Sequence, residues 1–147
     1  MGDITVTAAK VAAVYPEQSE IYDGIAGATI TAGQILYKIT ASGKLGLADE
    51  DADAEHSQGV GVALNGGGSG QAISYLKKGP VEGFSLSGLA YNLPCSLSTT
   101  AGALLDTGAT TNVVARVMST SEVQADGTLG KVLYFDFPVG TYATVAT

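Results

Sequence analysis

A chain of 147 residues is the length of one ordinary domain and can bury a core. Only 14% of its residues carry charge, against roughly 25% in typical soluble proteins, and mean hydropathy is +0.25, so the surface is short of strongly solvated groups and suits an assembled protein. A net charge of −7, with 7 scattered Lys and Arg, excludes the dense cationic face that sequence-independent nucleic-acid binding requires.

The single cysteine, Cys95, excludes an intrachain disulfide framework and reads as a small core hydrophobe beside Pro94. No stretch approaches the roughly 18 consecutive apolar residues of a membrane span. Asp3 stands where a signal peptide needs a basic start, and Val6 where a myristoylation site prefers Ser or Thr. The expectation is a soluble chain with no membrane partner and no visible export signal.

Along the chain, strand patterns predominate. "ITVTAAKVAAVY", Ile4 to Tyr15, carries β-branched residues and reads as an edge strand or an extended arm. It either completes its own sheet or adds a strand to a neighbouring subunit. "YPEQSEIYDGIAG" mixes proline, acids and glycines and reads as an irregular loop. "QILYKIT" alternates at Ile35, Tyr37 and Ile39. "AGALLD" reads as a short apolar turn, helical or turn plus strand. "KVLYFDF" sets Leu133, Phe135 and Phe137 against Val132, Tyr134 and Asp136. With 20 glycines punctuating these runs, the expected fold is all-β, a compact barrel or sandwich of short strands.

A weak internal repeat organises the chain. "GQILYKITASGKLGLAD" and "NLPCSLSTTAGALLDTG" share an apolar strand, Ser or Thr, a turn glycine and then leucine, so that Gly43 with Leu45 matches Gly102 with Leu104. A valine-rich strand follows each copy ("GVGVAL", "NVVARVM"), then a further strand ("GQAISYLKKG", "GKVLYFDFP"). Two three-strand units, about 29–80 and 88–139, would pack on each other as one β-domain spanning 29–147, linked by "PVEGFSLSGLAY". Residues 1–28 have no repeat partner and form the N-terminal arm or edge strand.

The stretch "LADEDADAEHSQG" invites a metal reading. Asp49, Asp51 and Asp53 alternate as the first ligands of an EF-hand do, but Ala54 stands where that loop turns on Gly and Val60 where it needs Glu. A solvated acidic loop is the expected role, with a cation at Asp49, Asp51, Asp53 or Glu55 the alternative. His56 has no Cys or second His at metal-ligand spacing, and no "GxSxG" elbow accompanies it, so no metal, cofactor or catalytic residue is expected. "GVGVALNGGGSGQ" places Leu64 where a dinucleotide fingerprint needs its third glycine and leads into a strand, which removes the helix N-terminus a phosphate loop depends on. Asn65 to Gly70 reads as a hairpin tip.

"AGATITAGQILYKITASGKLGLADEDA", "GVGVALNGGGSGQAISYLKKGPVEGF" and "LSGLAYNLPCSLSTTAGAL" resemble the small capsid decoration, or cement, proteins of tailed bacteriophages. In that family a "TAGQ...Y" strand, a "GK..LAD" turn, a "VGIALN" strand and a "GQPV" strand recur in this order. Here they match Thr31 to Gln34 with Tyr37, Gly43 to Asp49, Val60 to Asn65, and Gly70 to Ile73, where "GQAI" lacks the proline. The resemblance covers about residues 26–137.

It implies a non-enzymatic protein, made in the bacterial cytoplasm, that sits on the outer surface of a phage head. There it would bind the major capsid protein, commonly as a homotrimer, and clamp neighbouring capsid subunits after expansion. The expected contact residues are Ile4, Val6, Val11 and Tyr15 in the N-terminal segment and Phe84, Tyr91, Leu93 and Tyr142 elsewhere. Deleting about Ile4 to Tyr15 is expected to abolish capsid binding while leaving the fold intact. The alternative is a β-barrel adhesin or tail-fibre component, with Tyr22, Tyr75 or Tyr91 stacking on a sugar ring.

Overall fold

The computed structural model describes residues 2–50, 53–106 and 113–137. Its strands are β1 (Ala12–Ala13), β2 (Glu20–Ile25), β3 (Ile35–Lys38), β4 (Leu45–Leu47), β5 (Gly59–Ala63), β6 (Ala72–Glu82), β7 (Pro94–Leu97), β8 (Leu104–Leu105), β9 (Val113–Val123) and β10 (Leu129–Asp136). Among the described residues, helical structure is confined to short 3-10 turns at Ala8–Lys10 and Pro16–Gln18. The fold is all-β, one curled antiparallel sheet that forms a half-barrel.

Strand order along the sheet is β4-β3-β5-β6-β10-β9-β7-β8. Read from either end inward, the same connectivity appears twice: β3 to β6 pair as 4-3-5-6 and β7 to β10 as 8-7-9-10. The leucines after the turn glycines form short strands of their own, β4 and β8, so each unit has four strands where the sequence pattern showed three. Gly43 and Gly102 occupy equivalent corners with φ of +77° and +81°, and Leu45 and Leu104 behind them are both buried. β6 and β10 join the units, Leu133 lying opposite Val81 and Asp136 opposite Lys78.

β6 is the spine. Its Tyr75 and Leu76 pair with β5, and Lys78 to Val81 pair with β10 along the same edge. The opposite edge carries β2 and then β1. Because β5 and β10 share one edge, the units diverge from β6 and face each other across the main core of Ile35, Val62, Leu76, Leu97, Val117, Leu133, Phe135 and Phe137. Leu133, Phe135 and Phe137 are fully buried on one face, as expected in "KVLYFDF"; on the other face Asp136 is exposed and Tyr134 half-buried, but Val132 is buried as well. Phe135 and Phe137 stack at 5.6 Å with nearly parallel rings.

The β3–β6 unit has a second core on its other face. Leu36, Leu45, Ala63, Ile73 and Tyr75 pack there with Ala26 and Ile30. Neighbours on one strand thus enter different cores: Ile35 and Tyr37 go to the first, Leu36 to the second. That is why "ILY" is apolar without interruption, as strands covered on both faces are. The cover comes from Ala26 and Ile30, just after β2; β2 itself pairs with β6 where an irregular loop was expected. Glu20, Asp23 and Gly24 are poor strand formers, and pairing with β6 overrides that preference.

The N-terminal segment is extended but lies along its own domain. Asp3 bridges Leu105 and Val6 bridges Phe84; Ile4 N–H donates to the Leu104 carbonyl at 2.8 Å, and Ser85 N–H to that of Thr5 at 2.9 Å. Only Ala12–Ala13 is regular strand, because the chain must pass from the β8 edge to the β6 edge and turns at Ala8–Lys10 to do so. β6 runs on to Glu82, so the link between the units is shorter than "PVEGFSLSGLAY". Asn65 to Gly70 is likewise no free tip, since Gly67 and Ile30 exchange two main-chain hydrogen bonds at 2.9 Å.

Candidate functional site: a projecting hairpin and a histidine-anchored acidic loop

Beyond Val117 the hairpin of β9 and β10 leaves the core. Met118 to Leu129 are exposed almost throughout, on both faces, with Met118, Val123 and Leu129 the large apolar side chains among them. Its tip is a tight turn: Gln124 N–H donates to the Thr128 carbonyl at 2.7 Å, and Gly127 takes φ of +87°. Asp126 accepts from the hydroxyl of Thr128 at 2.6 Å and its N–H at 3.0 Å. These bonds hold its carboxyl below the usual range.

The 83–93 segment braces one side of this hairpin as far as its turn. The Tyr91 hydroxyl donates to the Leu129 carbonyl at 2.6 Å, and Lys131 Nζ donates to the Leu89 carbonyl at 2.6 Å while lying 5.2 Å from the Tyr91 ring centre. A groove between Phe84, Tyr91, Asp126 and Leu129 runs along one side of the hairpin. A second, between Val14, Tyr15, Glu82 and Glu122, runs along the other.

Of the residues expected to make contacts, Tyr15 and Tyr91 are 50% and 44% exposed and flank this hairpin. Phe84 and Leu93 are partly buried against the core, Phe84 with its ring 5.7 Å from that of Phe135. Val6 is also partly buried there, whereas Ile4 and Val11 are 6% and 9% exposed. Ile4 and Val11 therefore fill the domain's own core and offer no face to a partner. Tyr142 lies outside the described residues. Sequence reasoning missed Met118, Val123 and Leu129, and also Ile21 and Ile25 on edge strand β2, all exposed, beside Tyr22, which the adhesin alternative names. A strand's period says which residues share a face, not where a hairpin outgrows its core.

The acidic loop is the other cluster. His56 is held from both ring nitrogens: the Tyr37 hydroxyl lies 2.9 Å from Nε2 and Asp53 Oδ1 2.7 Å from Nδ1. The carboxylate only accepts, so the Nδ1 proton faces Asp53, and in the neutral ring Nε2 then accepts from Tyr37. The Tyr37 and His56 rings pack 4.3 Å apart. Asp53 also accepts the His56 N–H at 2.8 Å, and these two bonds, the main-chain one foremost, hold its carboxyl low. Glu55 accepts the Thr40 N–H at 2.5 Å, which lowers it in the same way. Burial, and after it the charges of Glu55 and Asp53, push the Tyr37 hydroxyl up.

This loop also closes the half-barrel. Gly102 N–H donates to the Ala48 carbonyl at 2.7 Å, Ile35 N–H to the Gly102 carbonyl at 2.8 Å, and Glu50 N–H to the Ser98 carbonyl at 3.0 Å. The corner of the second unit is thereby sewn to the first. Among the described residues, no helix is long and apolar enough to cross a membrane.

Comparison with known proteins finds no matching family model, no matching curated protein and no matching solved structure.

Proposed function

We propose that this chain is a structural virion protein that binds the outer surface of a tailed-phage head, with the major capsid protein and further copies of itself as partners. It would act as a trimer, clamping neighbouring capsid subunits and stabilising the expanded shell. The observation that carries the reading is the projecting β9–β10 hairpin. It exposes Met118, Val123 and Leu129 on a two-stranded ribbon, flanked by Tyr15 and Tyr91. A ribbon of two strands is marginal in water by itself, and the apolar side chains exposed on this otherwise polar one gain from being covered. The low charge of the chain and the resemblance of residues 26–137 to decoration proteins support the same reading.

The mechanism is linkage. A subunit that binds only the expanded lattice stabilises that state by mass action, and many weak contacts repeated over a shell add to a strong one. No covalent step is involved. The N-terminal segment enters this reading as part of the domain, because its main-chain groups already pair with Leu104, Gly83 and Phe84.

The test is reconstitution. Purified chain is added to expanded and to unexpanded shells lacking it, followed by sedimentation and calorimetric melting. Binding to expanded shells alone, with a raised shell melting temperature, is expected. Equal binding to both forms, or none, contradicts the proposal; binding to glycan on an array would favour the adhesin instead.

A further inference from the structure

Away from the hairpin, one cluster brings three donors of different kinds to a point. A carboxylate oxygen of Asp53, one of Glu55 and a ring nitrogen of His56 all lie within 4.8 Å of one another. Ligands at ~2.0–2.2 Å from a zinc-class ion lie no more than ~4.4 Å apart, so a small side-chain adjustment would close the set. Side-chain exposures of 32% for His56 and 41% for Asp53 leave the point open to solvent.

We propose that Asp53, Glu55 and His56 form a binding site for a divalent transition-metal ion of the zinc class, in the loop whose earlier residues Ala48 and Glu50 meet the second unit. The imidazole sets the class: a nitrogen donor with two carboxylates suits zinc-class ions, whereas calcium and magnesium prefer oxygen alone. Without metal the ring proton sits on Nδ1 and faces Asp53. On binding, the ion takes that position, the proton moves to Nε2, and Nε2–H donates to the Tyr37 hydroxyl it now accepts from.

The surroundings fit such an exchange. A metal-bound imidazole is ordinarily fixed by a hydrogen bond from its other nitrogen, and Tyr37, 7% exposed and part of the main core, is rigidly placed to take it. Glu55 is steadied by the Thr40 N–H. The loop's hydrogen bonds to Ser98 and Gly102 mean that an ion fixing the loop also fixes the closure of the half-barrel.

The test titrates metal-free full-length chain with Zn²⁺ by calorimetry and with Co²⁺ by visible absorption, and records thermal melting. One ion per chain, ligand-field bands with Co²⁺ and a raised melting temperature with Zn²⁺ are expected, with no such rise with Ca²⁺. His56→Asn and Glu55→Gln should each weaken binding by at least ~10-fold, and Tyr37→Phe by ~10-fold, the scale of losing an outer-shell partner. Glu55→Gln leaves the Asp53–His56–Tyr37 contacts in place, so it separates ligand loss from misfolding. Absence of saturable uptake, uptake unchanged in both His56→Asn and Glu55→Gln, or an equal response to Ca²⁺ would overturn the site. None of these outcomes depends on the virion reading.

Discussion

Cys95 shows how far a single residue can be read. Its neighbour Pro94 and the surrounding apolar pattern mark it as core, and it is fully buried in the main cluster. Burial first, and the charge of Asp106 second, push the thiol up to about 11. Since the thiolate is the reactive species, Cys95 should not react with a disulfide reagent at pH 8 in the folded protein and should react fully in denaturant. Fast labelling of the native chain would contradict its placement. His56 is the opposite case. Its isolation in the sequence concealed its partners, because Tyr37 and Asp53 are brought to its two nitrogens by the fold of the β4–β5 loop over β3.

At the scale of elements, the repeat was legible because it is carried by turn chemistry. Gly43 and Gly102 both adopt positive φ, a conformation that costs a residue with a side chain roughly 1–2 kcal/mol. Their surroundings differ. A methyl group at Gly43 meets nothing within 4 Å, whereas at Gly102 it meets Gln34 and Leu47 at 3.3 Å. Gly102→Ala should therefore destabilise more than Gly43→Ala in urea unfolding, and equal losses would argue against the docked corner. β2 was not legible, because its acids and glycine oppose strand formation and only β6 supplies a reason for it. The N-terminal segment resolves similarly. Ile4 is buried, so Ile4→Ala should cost ~2–5 kcal/mol, the range for emptying a core aliphatic site. Removal of about Ile4 to Tyr15 is accordingly expected to weaken the fold itself, and an unchanged melting curve would refute the docking in cis.

At the scale of the whole molecule, the described residues form a half-barrel β-domain from whose core the β9–β10 hairpin extends. The class of fold followed from composition, strand periods and glycines, but which apolar residues face outward is decided by where β9 and β10 outgrow the core they pair over. Replacing Val123 and Leu129 together by Ser should leave the melting temperature within a few degrees of wild type, since surface changes usually stay within ~0.5 kcal/mol each, while reducing binding to expanded shells. Undiminished binding would move the contact surface elsewhere, with edge strand β2 and its exposed Ile21, Tyr22 and Ile25 the next candidate.

The most direct measurement of the proposed virion role is to purify phage particles from a host that expresses this chain on a density gradient and quantify the chain against the major capsid protein by mass spectrometry. The account predicts a ratio near one copy per capsid subunit, lost together with shell stability when the protein is stripped away. Absence from the particles, or only a handful of copies per head, would contradict it.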